Sequence, residues 1–141
     1  MNKLKIKSNS MESTVEAGEQ FAKGLSSGDV VVLTGGLGSG KTTFTKGIAK
    51  GLGVKEWRKV ASPTFVIMNS YRGKKTLYHF DFYRLNRVSE ISDTGFHELV
   101  NGDGISVVEW GEKFKDIFPE RTKWLTFKYV NERERLIIIK V

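Results

Sequence analysis

The chain has 141 residues, no cysteine, and 23 lysines and arginines against 16 aspartates and glutamates, a formal net charge of +7. That length suits one compact domain; 39% hydrophobic and 28% charged residues exclude a disordered chain, and the missing cysteines exclude disulfides, thiolate chemistry and cysteine zinc sites. No apolar stretch is long enough to span a bilayer, so a cytoplasmic protein without membrane association is expected; the basic balance favours acidic partners such as nucleotides or nucleic acid, although a lysine-rich solvated surface is enough to explain it.

The start, Met1 to Lys7, lacks the apolar block of a signal peptide. Residues 3–7 read as an edge strand with Leu4 and Ile6 facing inward and three lysines outward, where they discourage pairing with another chain. Ser13-Thr14-Val15-Glu16 fits a capping box, and Val15, Gly18, Ala22 and Leu25 follow at helical spacing, closed by the turn residues Ser26-Ser27-Gly28-Asp29. Val30-Val31-Val32-Leu33 marks a strand buried on both faces. A glycine-rich loop comes next, and Phe44, Ile48 and Leu52 form one face of a helix that Gly51 and Gly53 end. Phe65-Val66-Ile67-Met68 and Thr76-Leu77-Tyr78-His79-Phe80 read as strands joined by a turn at Arg72-Gly73-Lys74-Lys75. Ile105-Ser106-Val107-Val108 is a further buried strand, ending at Glu109. Two more strands, Trp124 to Tyr129 and Leu136 to Ile139, flank the polar turn Asn131-Glu132-Arg133-Glu134. Without internal repeats or linkers, a single α/β domain over residues 1–141 is expected.

The loop carries the chemistry. Gly35-x-x-x-x-Gly40-Lys41-Thr42 matches the Walker A pattern of P-loop nucleotide-binding proteins in full, between a buried strand and an amphipathic helix. Gly35, Gly38 and Gly40, with Ser39, let backbone N–H groups close around phosphate where a Cβ would block the approach. The helix N-terminus adds its dipole. Lys41 supplies a point charge for the β- and γ-phosphates, Thr42 a hydroxyl for magnesium, and Thr43 a further phosphate contact. Magnesium also needs a carboxylate at the end of a buried strand. Glu109 and Asp81 both qualify; one holds the metal while the other orients or deprotonates water. Thr64 beside Pro63 either reaches the γ-phosphate end, as switch threonines do, or is simply part of a turn entering a strand. His79, alternating inside a strand, reads as structural. Guanine-reading motifs are absent, which favours ATP.

Four segments together resemble one family. The Gly35–Thr43 loop, Ser62-Pro63-Thr64-Phe65, His79-Phe80-Asp81-Phe82-Tyr83-Arg84-Leu85 and Val108-Glu109-Trp110 occur in the order and rough spacing of TsaE, the ATPase of bacterial tRNA threonylcarbamoyladenosine (t6A) synthesis. Gly111 departs from the family's frequent proline, while Glu112 is kept. The resemblance implies a P-loop α/β core with a mixed, mostly parallel sheet flanked by helices. It implies slow hydrolysis of ATP with Mg2+, association with TsaB and TsaD, and contact with tRNA through that assembly. By position it gives Lys41 to phosphate, Thr42 and Glu109 to magnesium, Asp81 to hydrolysis or metal, and Thr64 to a switch-like loop. Trp110 then either shapes the nucleotide site or packs in the core, and adenine is met near Ser10–Thr14. The alternative is a small-molecule or nucleoside P-loop kinase, although no arginine-bearing lid is evident; a nucleotide-sensing module without chemistry is a third reading. Arg121, Lys123, Lys128, Arg133 and Arg135 invite RNA, but no RNA-binding motif accompanies them.

Overall fold

The computed structural model describes residues 3–140; Met1 and Asn2, the first two residues of the start read from the sequence, and Val141 lie outside the described residues. The strands are β1 (Lys3–Ser8), β2 (Val30–Thr34), β3 (Met68–Tyr71), β4 (Leu77–Asp81), β5 (Ile105–Glu109), β6 (Lys123–Tyr129) and β7 (Arg135–Lys140). The helices are α1 (Met11–Ala22), α2 (Lys41–Gly51), α3 (Val88–Ser92) and α4 (Phe96–Val100), with short 3-10 turns at Trp57–Lys59 and Gly111–Ile117. The strands form one mixed sheet in the order β1-β7-β6-β2-β5-β4-β3. Its four central strands, β6, β2, β5 and β4, run parallel, and the three outer pairings are antiparallel. No helix among the described residues is long and apolar enough to cross a membrane.

β2 shows why the sheet is covered on both sides. Its four apolar residues are fully buried, and they alternate: Val31 and Leu33 enter one core, Val30 and Val32 the other. The first core packs under α1 and α2 with Phe44, Ile48 and Leu52; the second packs under α3 and α4 with Phe80, Phe82 and Phe96. Each buried aliphatic side chain contributes about 1.5–3 kcal/mol, so the central strands are the most firmly pinned part of the sheet.

Four local expectations need correction. The N-cap of α1 is Ser10, and the box closes with Ser13, whose N–H donates to Ser10 Oγ at 3.0 Å while its own hydroxyl accepts from the Ser10 N–H at 3.1 Å. A serine hydroxyl can both donate and accept, so it replaces the Glu16 of the expected box three residues upstream. The helix also stops at Ala22, ahead of the turn at residues 26–29. Leu4 shares the inward face of β1 with Ile6 but stays 56% exposed, because β1 is an edge strand and only Ile6 of the two packs against the core. Finally, the Phe65–Met68 strand begins only at Met68. Pro63 O accepts the Ile67 N–H at 2.6 Å, which curls the segment into a turn and leaves Phe65 84% exposed.

α1 and α2 cross at backbone contact. A Cβ on Gly47 would run into the carbonyl oxygen of Val15, and one on Gly18 into that of Phe44. Gly47→Ala is therefore expected to cost about 1–3 kcal/mol by overpacking, read by urea denaturation; a variant as stable as the parent would mean that the helices can separate freely.

Candidate functional site

The four parallel strands end along one edge of the sheet, and the segments that leave them line a cleft of about 880 Å3. β2 delivers residues 37–43, β4 Asp81 and Tyr83, β5 Glu109 and Trp110, and β6 the hairpin residues Glu132 and Arg133. Ligand sites of parallel sheets lie at this carboxyl edge.

Gly35 has to be glycine. Its φ is 144°, and a Cβ there would sit 2.6 Å from the Phe127 carbonyl oxygen of β6. Gly35 lies beneath the cleft and does not line it; Gly38, Ser39, Gly40, Lys41, Thr42 and Thr43 do. Gly40, at φ 102°, is the N-cap of α2 and brings no capping side chain, so the helix's first N–H groups carry no cap of their own. Lys41 is nearly buried. Its ammonium donates to Gly35 O at 2.7 Å and lies 3.9 Å from the centre of the Trp110 ring, and no carboxylate among the described residues is within ion-pair distance. Burial pushes its pKa below the usual lysine value, opposed by the nearby charges of Glu109, Glu112 and Asp81.

The two carboxylates are held differently. Asp81 Oδ2 accepts from Ser62 Oγ at 2.6 Å and Thr64 Oγ1 at 3.3 Å, while Oδ1 accepts the Tyr83 N–H at 2.8 Å. Asp81 thus ties the Ser62-Pro63-Thr64 loop to β4. Glu109 Oε2 accepts from Thr42 Oγ1 at 3.2 Å and lies 2.6 Å from His79 Nε2, in the buried interior. Trp110 follows at φ 64°, a left-handed conformation rare for a large side chain, and stacks edge-on against Tyr83 at 5.0 Å. It lines the cleft and leans on the second core.

Among the expected site residues, only Gly35 is absent from the cleft lining. Of the stretch Ser10–Thr14, near which adenine is expected, Ser10, Met11 and Thr14 line the cleft, with Asn9 beside them. Sequence reasoning missed Tyr83, Ser62 as an Asp81 partner, and His79 as a neighbour of Glu109. It also missed Arg135, whose Nε donates to Gly38 O at 3.0 Å and braces the loop from the β6–β7 hairpin. Two of the basic residues that invited RNA are thereby engaged within the chain, since Arg121 likewise donates to Gly28 O and Val100 O.

The residues fit a polyphosphate and a small hard cation. Ser39 Oγ is buried beside the loop without a partner, and the buried ammonium lacks an anion. No group of three or more His, Cys, Asp or Glu among the described residues could hold a metal by itself. Magnesium does not require one: it is commonly held by one or two protein oxygens together with water and substrate phosphates, and Thr42 beside Glu109 offers that set.

Residues 8–137 match the family described as "TsaE: Threonylcarbamoyl adenosine biosynthesis protein TsaE". The chain is 39% identical over 136 residues to the tRNA threonylcarbamoyladenosine biosynthesis protein TsaE of Treponema pallidum, covering 96% of this chain and 99% of that protein. It is 40% identical over 138 residues to the protein of that name from Bacillus subtilis, covering 97% and 85% respectively. The crystal structure of Bacillus subtilis YdiB superposes with a TM-score of 0.78 at 32% identity, over 98% of this chain and 84% of that one.

Three donors converge on Asp81, so Asp81→Ala leaves the Tyr83 N–H and two hydroxyls without their acceptor. Losing a hydrogen bond to a charged group costs about 1.5–3 kcal/mol. Amide exchange at Tyr83 should therefore rise about tenfold or more by mass spectrometry or NMR, while exchange in β2 stays slow. Unchanged protection at Tyr83 would show that the carboxylate does not hold this turn.

Proposed function

The chain belongs to the TsaE family, and from that premise we propose that it binds and slowly hydrolyses ATP with magnesium as a subunit of tRNA t6A synthesis. On this reading one domain over residues 1–141 acts in the cytoplasm with TsaB and TsaD, and meets tRNA only through that assembly. The observation that carries the proposal is the buried Lys41 ammonium with no anion beside it, set at the start of α2 next to the Thr42–Glu109 pair.

Each group then has a task. Lys41 has three N–H donors and spends one on Gly35, leaving the others for the β- and γ-phosphates. Residues Gly38 to Thr43 line the same cleft, and the uncapped first amides of α2 serve the phosphates with Lys41. Thr42 and Glu109 would hold magnesium, which when bound would supply the positive charge that neutralises the phosphates. Asp81 keeps free lone pairs beside its three donors and orients water at the γ-phosphate end. Thr64, bonded to Asp81, makes the position of the Phe65–Val66 turn depend on what occupies that end. Trp110 shields one side of Lys41 from water. The adenosine half lies toward Asn9–Thr14 and the hairpin. The kinase alternative gains no support from the family, whose description is of t6A biosynthesis.

Titration calorimetry with ATP and magnesium should give a single site, and Lys41→Ala should abolish it. Hydrolysis should be slow for the isolated chain and change when TsaB and TsaD are added. Asp81→Asn should keep ATP binding while lowering turnover by about 10²–10⁴-fold, the usual worth of a positioned acid–base group. Absence of nucleotide binding by the intact protein would overturn the proposal.

A further inference from the structure

We propose that His79 is a positioning residue whose buried ring holds the Glu109 carboxylate in the orientation that serves a cation bound beside Thr42. The inference deepens the reading of the site as a magnesium–nucleotide site and rests on it.

His79 stands on β4 and is fully buried. An ionised Glu109 is an acceptor only, so the 2.6 Å contact requires the ring to carry a proton on Nε2. The other nitrogen, Nδ1, is buried without a hydrogen-bond partner. A core histidine that served packing alone would cost polar burial on two nitrogens and recover it on neither. This one recovers it on a single atom, and that atom is a Glu109 oxygen.

The register explains why the ring reaches. Asp81 pairs with Glu109 across β4 and β5, and His79, two residues earlier, shares a face of β4 with Asp81. His79 therefore approaches Glu109 from inside the sheet while Thr42 approaches from α2. A carboxylate fixed on two sides cannot swing when a cation arrives. Partners of this kind fix the orientation of a ligating carboxylate, and their loss typically costs about 10- to 100-fold in metal affinity.

The test compares the intact protein with His79→Leu, which fills the volume without a donor, and His79→Gln, whose side-chain amide can donate from near the Nε2 position. ATP affinity is measured by calorimetry with magnesium and with EDTA, and thermal melting reports folding. The ratio of the two affinities is the readout. Leucine should leave the EDTA affinity unchanged and shrink the magnesium gain by about tenfold or more, and glutamine should restore most of it. A folded leucine variant with the parental gain overturns the inference. So does a folded glutamine variant without the gain, which decides the matter if the leucine variant does not fold. If the unmodified protein shows no magnesium gain at all, the reading of the site falls, and this inference with it; a parental gain that survives His79→Leu sinks the inference alone.

Discussion

The site depends on the parallel register of three buried strands. Leu33 of β2 pairs with Glu109 of β5, and Glu109 with Asp81 of β4, so the phosphate loop and both carboxylates leave the sheet at one level. Slipping one pairing by a single residue would turn every side chain of that strand to the opposite face and carry Glu109 away from Thr42. What forbids the slip is remote from the chemistry. Val30 to Leu33, Ile105, Val107 and Val108 are all fully buried and divided between two cores. The geometry of the polar site is thus set by apolar burial a few residues upstream.

Within that frame the two carboxylates have separate surroundings. Glu109 is tied to the interior through His79 and to α2 through Thr42. Asp81 is tied outward, to the Ser62–Thr64 loop and the Tyr83 amide. On the proposed reading, one acid serves a fixed metal position and the other reports on a surface turn. Equivalent acids in equivalent surroundings could not divide the work in this way.

The parts legible in the sequence were those whose cause is local. The loop from Gly35 to Thr42, the buried run before it and the Glu109 strand end each declare themselves within about ten residues, and the structure places them as read. What was not legible depends on distant partners. Ser62 gains its meaning from Asp81, 19 residues on, and Arg135 from Gly38, 97 residues back. His79 looked structural because alternation in a strand reveals its face and not what lies opposite. Phe65 and Val66 misled for another reason: apolar residues promise burial, but a proline carbonyl accepting the Ile67 amide curls the chain before the strand can begin. The short α3 and α4 carry too few turns for a periodic pattern to stand out.

Backbone strain sits next to both carboxylates. Ile67 (φ 71°) and Trp110 (φ 64°) are the two non-glycine residues with positive φ among those described, and such conformations cost about 1–3 kcal/mol each. Relief at Trp110 would pull its ring from Lys41 and Tyr83 and unseat Gly111, against which Phe118 and Val32 are closely packed. That residue is locked by its neighbours. Relief at Ile67 would release its bonds to Pro63 O and from the Asp81 N–H, each worth about 0.5–1.5 kcal/mol net, and lift its side chain from the second core, against which it packs. The strained turn is thus held by those two bonds and by apolar contact, while the adjoining Phe65 and Val66 stay exposed.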